Sequence, residues 1–176
     1  MNTKTAQKSC MTLNIDNYKA FIEQVREDPK AGQVQFSAKT EWRDGTITRT
    51  VARDREILAD EPEALGGQDS AADPVELLLA SLTSCVSIGL VTHAANQGID
   101  FDDFEIEITG ALDLRGYLGL DEDTRPGYTS IDYTVRVKSD ADRDTLENLL
   151  SNAEQHSPMF DNILNGVPLN STLEVI

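Results

Sequence analysis

From Leu77 to Ala95 the chain carries no formal charge, and a stretch that long without charge admits few structures. It lies inside DPVELLLASLTSCVSIGLVTHAANQG, Asp73 to Gly98, whose flanks mark a helix. Asp73 suits the N-cap, Pro74 the first helical position, Glu76 completes a capping box with Asp73, and Gly98 stops the last turn. The run approaches the roughly 20 apolar residues needed to cross a bilayer. Against that use, Ser81, Thr83, Ser84, Ser87, Thr92 and His93 interrupt it, no Lys or Arg flanks it, and the acidic chain on both sides gives no orientation signal. A helix apolar on all faces also belongs at the centre of a soluble fold or dimer, so no membrane partner is expected.

Cys85 stands near the middle of this helix, with Ser81 and Gly89 one turn away on the same face leaving its sulfur approachable. A cysteine in an apolar helix serves as a small core hydrophobe or as a reactive thiol. Mid-helix placement denies Cys85 the activation available at a helix N-terminus, so reactivity requires a cation or base brought from elsewhere.

The rest of the composition narrows the field. With 31 acidic against 15 basic side chains, a net charge of -16 repels phosphate backbones and anionic lipid, and no nucleic-acid partner is expected. The N-terminal MNTKTAQKSCMTLNID has no apolar run after its lysines, which predicts a cytoplasmic protein without signal or anchor. Cys10 and Cys85 make no disulfide framework, and reduced thiols suit that compartment. No His/Cys/Asp spacing resembles a metal site, His93 reads as a packed or partly exposed helix residue, and no cofactor is expected.

Periodicity divides the chain into residues 1–33, a tail with an amphipathic helix at Ile15 to Glu27, and residues 34–176, the main domain. Val34, Phe36 and Ala38 alternate with polar residues and open a strand. Asp44-Gly45 turns it with Arg43 at the tip, and Thr46 to Ala52 returns. A third strand near Glu56 to Ala59 leads into the loop ADEPEALGGQDSAADP and so to the cysteine helix. Beyond Gly98, Phe104 to Ile108 and Ile131 to Val137 each alternate as strands with one wet face, joined by a loop or extended hairpin, DLRGYLGLDEDTRPG. A second long helix begins near Asp140, buries Leu146, Leu149, Leu150 and Ala153, and ends at His156-Ser157-Pro158; Ser171 to Ile176 suits a closing strand. The order β-β-β-α-β-β-α-β indicates an α+β fold.

The pairing of DEPEALGGQDSAADPVELLLASLTSC with the later AEQHSPMFDNILNGVPL resembles the OsmC/Ohr family of thiol peroxidase-like proteins, in its OsmC-like redox branch, from Val34 to the C-terminus. The resemblance implies antiparallel sheets packed on two long central helices in an intertwined homodimer, with a site at the subunit interface. It places the peroxidatic cysteine at Cys85 and the activating arginine at Arg43, in WRDG. Two departures stand out. The family's second cysteine falls on Ser157, which cannot form the internal disulfide, and its glutamate after the helix-initial proline falls on Val75. Glu76, one residue on, serves as capping partner or as site carboxylate, and Glu61 or Glu63 is an alternative carboxylate. His156, beside the second-cysteine position, is a base or hydrogen-bond donor for Cys85, or a helix-terminal histidine favoured by the dipole.

The resemblance thus implies a one-cysteine redox enzyme that reduces hydroperoxides or related oxidised species through Cys85 with an external thiol reductant. The alternative is a non-catalytic binding protein holding a small hydrophobic ligand in a dimer-interface cavity. An enzyme needs a readily ionised thiol, whereas a lining residue is unreactive.

Overall fold

The computed structural model describes residues 12–176. The chain divides into two compact units: Asn14–Ala80, and a second built on Ser81–Ile176 to which Thr12 and Leu13 also belong.

In the first unit, helix α1 (Ile15–Glu27) forms where the amphipathic spacing predicts it, its start held by Asn14 Oδ1 accepting the Asn17 N–H at 3.0 Å. Strands β1 (Lys39–Asp44), β2 (Ile47–Ala52) and β3 (Arg55–Ala59) then make an antiparallel meander. Gly45 takes the first turn position of the β1–β2 hairpin at φ 51, a conformation that favours glycine. The expected strand from Val34 is corrected: β1 begins only at Lys39, because Lys39 already pairs with Val51 and β2 ends one residue on at Ala52, which leaves residues 34–37 beyond the end of β2. Phe36 is accordingly 91% exposed.

The loop after β3 is organised by Asp60, a buried carboxylate that accepts five hydrogen bonds. They come from Thr46 Oγ1 at 2.5 Å, Ser70 Oγ at 2.7 Å, and the backbone N–H groups of Glu61, Gln68 and Ser70 at 2.9, 3.2 and 3.0 Å. These donors, Thr46 foremost, hold its carboxyl far below the usual range. The Gly66-Gly67 pair has two separate causes. Gly66 adopts φ 89, and a Cβ on Gly67 would stand 1.7 Å from the Glu61 carbonyl oxygen.

Helix α2 (Pro74–Asn96) runs from the first unit into the second. It is, among the described residues, the helix long and apolar enough to cross a membrane. Its C-terminal half is nevertheless spent on a core: Val86, Leu90 and Ala94 cluster with Phe101, Leu149 and Ala153. Strands β4 (Asp103–Ala111) and β5 (Ser130–Lys138) pair antiparallel in unbroken register from Asp103↔Lys138 to Ala111↔Ser130, and their alternating exposure leaves one face wet. Their inner face adds Phe104, Ile106, Val135 and Val137 to the core.

The connection between those strands contains a short helix, α3 (Leu114–Tyr117), where the sequence suggests loop or hairpin; Asp113 caps it by accepting the Arg115 N–H. The second long helix is α4 (Arg143–Gln155), capped by Asp142, and it buries Leu149 and Ala153 as its stripe predicts. An unforeseen helix, α5 (Pro158–Asn165), follows at once, because Pro158 ends one helix and occupies the first position of the next. The expected closing strand is also corrected. Ser171 to Ile176 carries no regular structure and is exposed, Leu173 and Val175 included, since neither strand edge within the unit receives it.

Candidate active site

The geometry around Cys85 begins with the approach of two helices. A Cβ on Gly89 of α2 would lie 3.1 Å from the Ala153 Cβ of α4, so the missing side chain lets the backbones close up. One turn before Gly89 stands Cys85, and one turn after Ala153 stands Ser157, so the helices run antiparallel and these two side chains meet. Ser157 Oγ donates to Cys85 Sγ at 3.1 Å and accepts the Phe160 N–H at 3.3 Å as the N-cap of α5. Ser157 is 4% exposed and Cys85, as a residue, half-buried.

Beside this pair lies an apolar cavity of about 130 Å³ lined by Leu82, Ile131, Tyr133, Phe160, Ile163 and Leu164. Leu82 is one turn before Cys85, and Phe160 is the residue whose N–H Ser157 caps, so the cavity lies within one helical turn of both, although neither Cys85 nor Ser157 lines it. The Tyr133 hydroxyl donates to the Glu154 carboxylate, and the Tyr133 ring meets Phe160 edge-on, centroids 5.8 Å apart. Burial first, then that carboxylate, pushes the phenol well above its usual range. The polar end of Tyr133 is thereby engaged, and its ring is presented as apolar wall.

His156 is the C-cap of α4, exposed, with Nδ1 donating to the Asn152 carbonyl oxygen at 2.9 Å. Its ring faces that of half-buried His93, centroids 5.7 Å apart. Burial, then the charge of His156, lowers the His93 imidazole from its ordinary value.

Arg43 and Glu76 belong to the first unit. Arg43 is not at the hairpin tip but one residue earlier. Trp42 pairs with Thr48 and Asp44 with Ile47, leaving Arg43 as the extra residue of a bulge, a device that re-aims a side chain. Its Nη2 donates to Glu41 Oε2 at 2.9 Å, and Lys39 and Arg49 bind the same carboxylate at 3.1 and 3.4 Å. Lys39 foremost, then Arg43 and Arg49, keeps Glu41 below the usual carboxylate range. Glu76 closes the capping box, accepting the Asp73 N–H at 2.9 Å while Asp73 accepts the Val75 N–H at 2.8 Å. Of the alternative carboxylates, Glu61 stands out. Burial, then the Asp73 carboxylate, pushes it above its ordinary value, whereas Glu63 is exposed on a single 3-10 turn. Cys10 lies outside the described residues.

Of the five sequence candidates, Cys85 and Ser157 are brought into direct contact, and His156 precedes Ser157 in the chain but turns to Asn152 and His93. Tyr133, Glu154 and Phe160 were not anticipated as site residues. Only alternation in β5 and the stripe of α4 hinted that Tyr133 and Glu154 would share a boundary.

An α+β scaffold presenting one thiol from a long apolar helix, over an apolar cavity, defines a class of thiol-bearing proteins. The model of one protein family, OsmC-like protein, matches residues 67–172, and the chain belongs to that family. Solved structures agree in fold. An OsmC-like protein from Mycoplasma pneumoniae superposes with a TM-score of 0.66 at 13% identity, covering 76% of this chain and 89% of that one. An OsmC-like protein of unknown function from Vibrio cholerae gives 0.61 at 16%, covering 75% and 95%. An organic hydroperoxide resistance protein OsmC from Legionella pneumophila gives 0.58 at 18%, covering 76% and 91%. No curated protein matches the chain.

Proposed function

We propose that this chain is a one-cysteine redox protein that reduces hydroperoxides with an apolar substituent, using Cys85 as the reacting thiol and an external thiol as reductant. The observation that carries the reading is the Ser157 hydroxyl donating to Cys85 Sγ beside the apolar cavity. In the reaction the thiolate sulfur attacks one peroxide oxygen and the O–O bond breaks. The sulfur becomes a sulfenic acid and the alkoxide leaves as an alcohol after taking a proton. Ser157 offers no second thiol, so recycling is external. One thiol displaces the sulfenic oxygen as water and forms a mixed disulfide, and a second thiol reduces that bond, leaving as an oxidised pair.

The cavity takes the organic substituent, since a dry apolar cavity of about 150 Å³ accepts a molecule the size of benzene. Arg43, re-aimed by its bulge and already bound to Glu41, is the activating cation, delivered at an interface between two copies of this chain. Dimerisation is supported by the distribution of burial. The only buried residues of the first unit are Ala59 and Asp60, and the sheet face bearing Trp42, 71% exposed, and Ile57 is otherwise Thr and Ala, with Arg55 at the start of β3 as its charge. On α2, Ile88 is 65% exposed. The protein works in a reducing cytoplasm, without membrane or nucleic-acid partner. A non-catalytic ligand carrier is the second reading, favoured by the same cavity and distinguished by an unreactive Cys85.

The test is reduction of an alkyl hydroperoxide with dithiothreitol, in a Cys10→Ser background. Cys85→Ser is expected to abolish turnover, and Arg43→Ala to slow it about tenfold or more, the equivalent of roughly 1.4 kcal/mol or more in the barrier. Turnover that survives Cys85→Ser overturns the enzymatic reading. Ser157→Cys is expected to lose two hydrogens by mass after mild peroxide treatment, as an internal disulfide forms.

A further inference from the structure

The chain has two histidines, and the fold sets them against each other. His93 lies in the last turn of α2, one turn beyond Gly89, and His156 is the C-cap of α4, three residues past Ala153. The close approach of Gly89 to Ala153 therefore governs their spacing as well.

One contact orients the His156 ring. A ring nitrogen 2.9 Å from a carbonyl oxygen carries a proton, so Nδ1 of His156 is the donor to Asn152 and Nε2 is the nitrogen left for a ligand. Imidazoles that bind metals are held this way, the second nitrogen donating to a backbone carbonyl and fixing tautomer and ring direction. His93 stands half-buried against it, and an unprotonated imidazole there offers one ring nitrogen lone pair as well. Two imidazoles bound to one ion at about 2.0–2.1 Å stand with ring centres roughly 5 to 6 Å apart. The observed 5.7 Å falls within that span.

We propose that His93 and His156 form a two-imidazole binding site for a first-row divalent cation of the Zn²⁺ type, with water completing its coordination. Among the described residues no three His, Cys, Asp or Glu side chains converge, so the site is open and its ion exchangeable, unlike a closed four-ligand structural centre. Nitrogen-only protein ligation selects Zn²⁺, Ni²⁺ or Cu²⁺ over Mg²⁺ or Ca²⁺, which prefer oxygen. A bound ion ties the end of α4 to α2 next to Ser157, and so stiffens the contact on Cys85.

The test uses ZnCl₂ with the full chain. At a metal concentration about 100-fold above the Kd, Tm is expected to rise by roughly 5 °C or more. The rise is expected in wild type and in Cys85→Ser, and to vanish in His93→Gln and in His156→Gln, each compared with and without metal so that a change in baseline stability cancels. No rise in wild type, a rise that survives either histidine substitution, or a loss in Cys85→Ser, where the thiol would be the ligand, overturns the proposal. Proton NMR of the wild-type chain supplies a readout free of substitutions. Zn²⁺ is expected to move the imidazole resonances of both histidines over the same concentration range, and movement of one or neither overturns it. Because these measurements do not depend on peroxide turnover, the site and the redox reading fail independently.

Discussion

A single hydroxyl carries two tasks at Ser157: its proton goes to Cys85 Sγ and its lone pair caps α5. Removing it costs a helix cap and a sulfur contact at once, which is why a serine here is more than a cysteine with one atom changed. Cys85 was legible as the focus from its helix and motif. The contact with Ser157 was legible only through the resemblance, since 72 residues separate them and nothing local joins them. Asp60 was not legible at all, because its donors come from a hairpin turn and a loop that alternation alone does not bring together. Its folded carboxyl lies below the unfolded value, so its stabilisation is complete above about pH 3.9 and is lost as pH falls toward the folded value. Asp60→Asn is therefore expected to lower stability at pH 7 and to flatten the fall in stability below about pH 4. Urea titrations at pH 7, 4 and 3 check this, and an unchanged acid slope would show that the carboxylate contributes nothing.

The elements with complete local signals formed where the sequence placed them. Helix α2 has its cap, its proline and its stop glycine, and β4 and β5 have an uninterrupted period of two. Misplaced elements lacked one of these. Residues 34–38 and 171–176 alternate correctly, but strands need neighbours, and periodicity does not supply an edge to pair with. Helix α5 was overlooked because Pro158 was read as a stop when it is also a start. Between elements, Gly89 is the residue that matters most. Gly89→Val is expected to cost about 1–3 kcal/mol by overpacking against Ala153. It should also separate Ser157 from Cys85, which a denaturation midpoint and the rate of Cys85 alkylation check together. Unchanged values for both would show that the helices are less closely fitted than the 3.1 Å approach implies.

Across the whole molecule, apolar burial is unequally shared. The core cluster belongs entirely to the second unit, while the three-stranded sheet has exposed Trp42, Ile57 and Leu58 and almost nothing buried. A sheet without a buried face is marginal in water, and a second copy of the chain is the partner that the proposed dimer provides. Sedimentation is expected to give twice the 19.3 kDa chain mass, and the urea midpoint to rise with protein concentration. A concentration-independent midpoint at the mass of one chain would remove the dimer and the interfacial role of Arg43. The sequence by itself determined the cysteine helix, the α+β class and the family resemblance, because caps, charge-free runs and period-two alternation act over a few residues and need no partner. The tertiary structure alone decided which side chains stand against Cys85, how the two histidines meet and which alternating segments become strands. Those outcomes depend on how closely distant backbones approach, and at Gly89 and Ala153 that approach is set by the absence of a side chain.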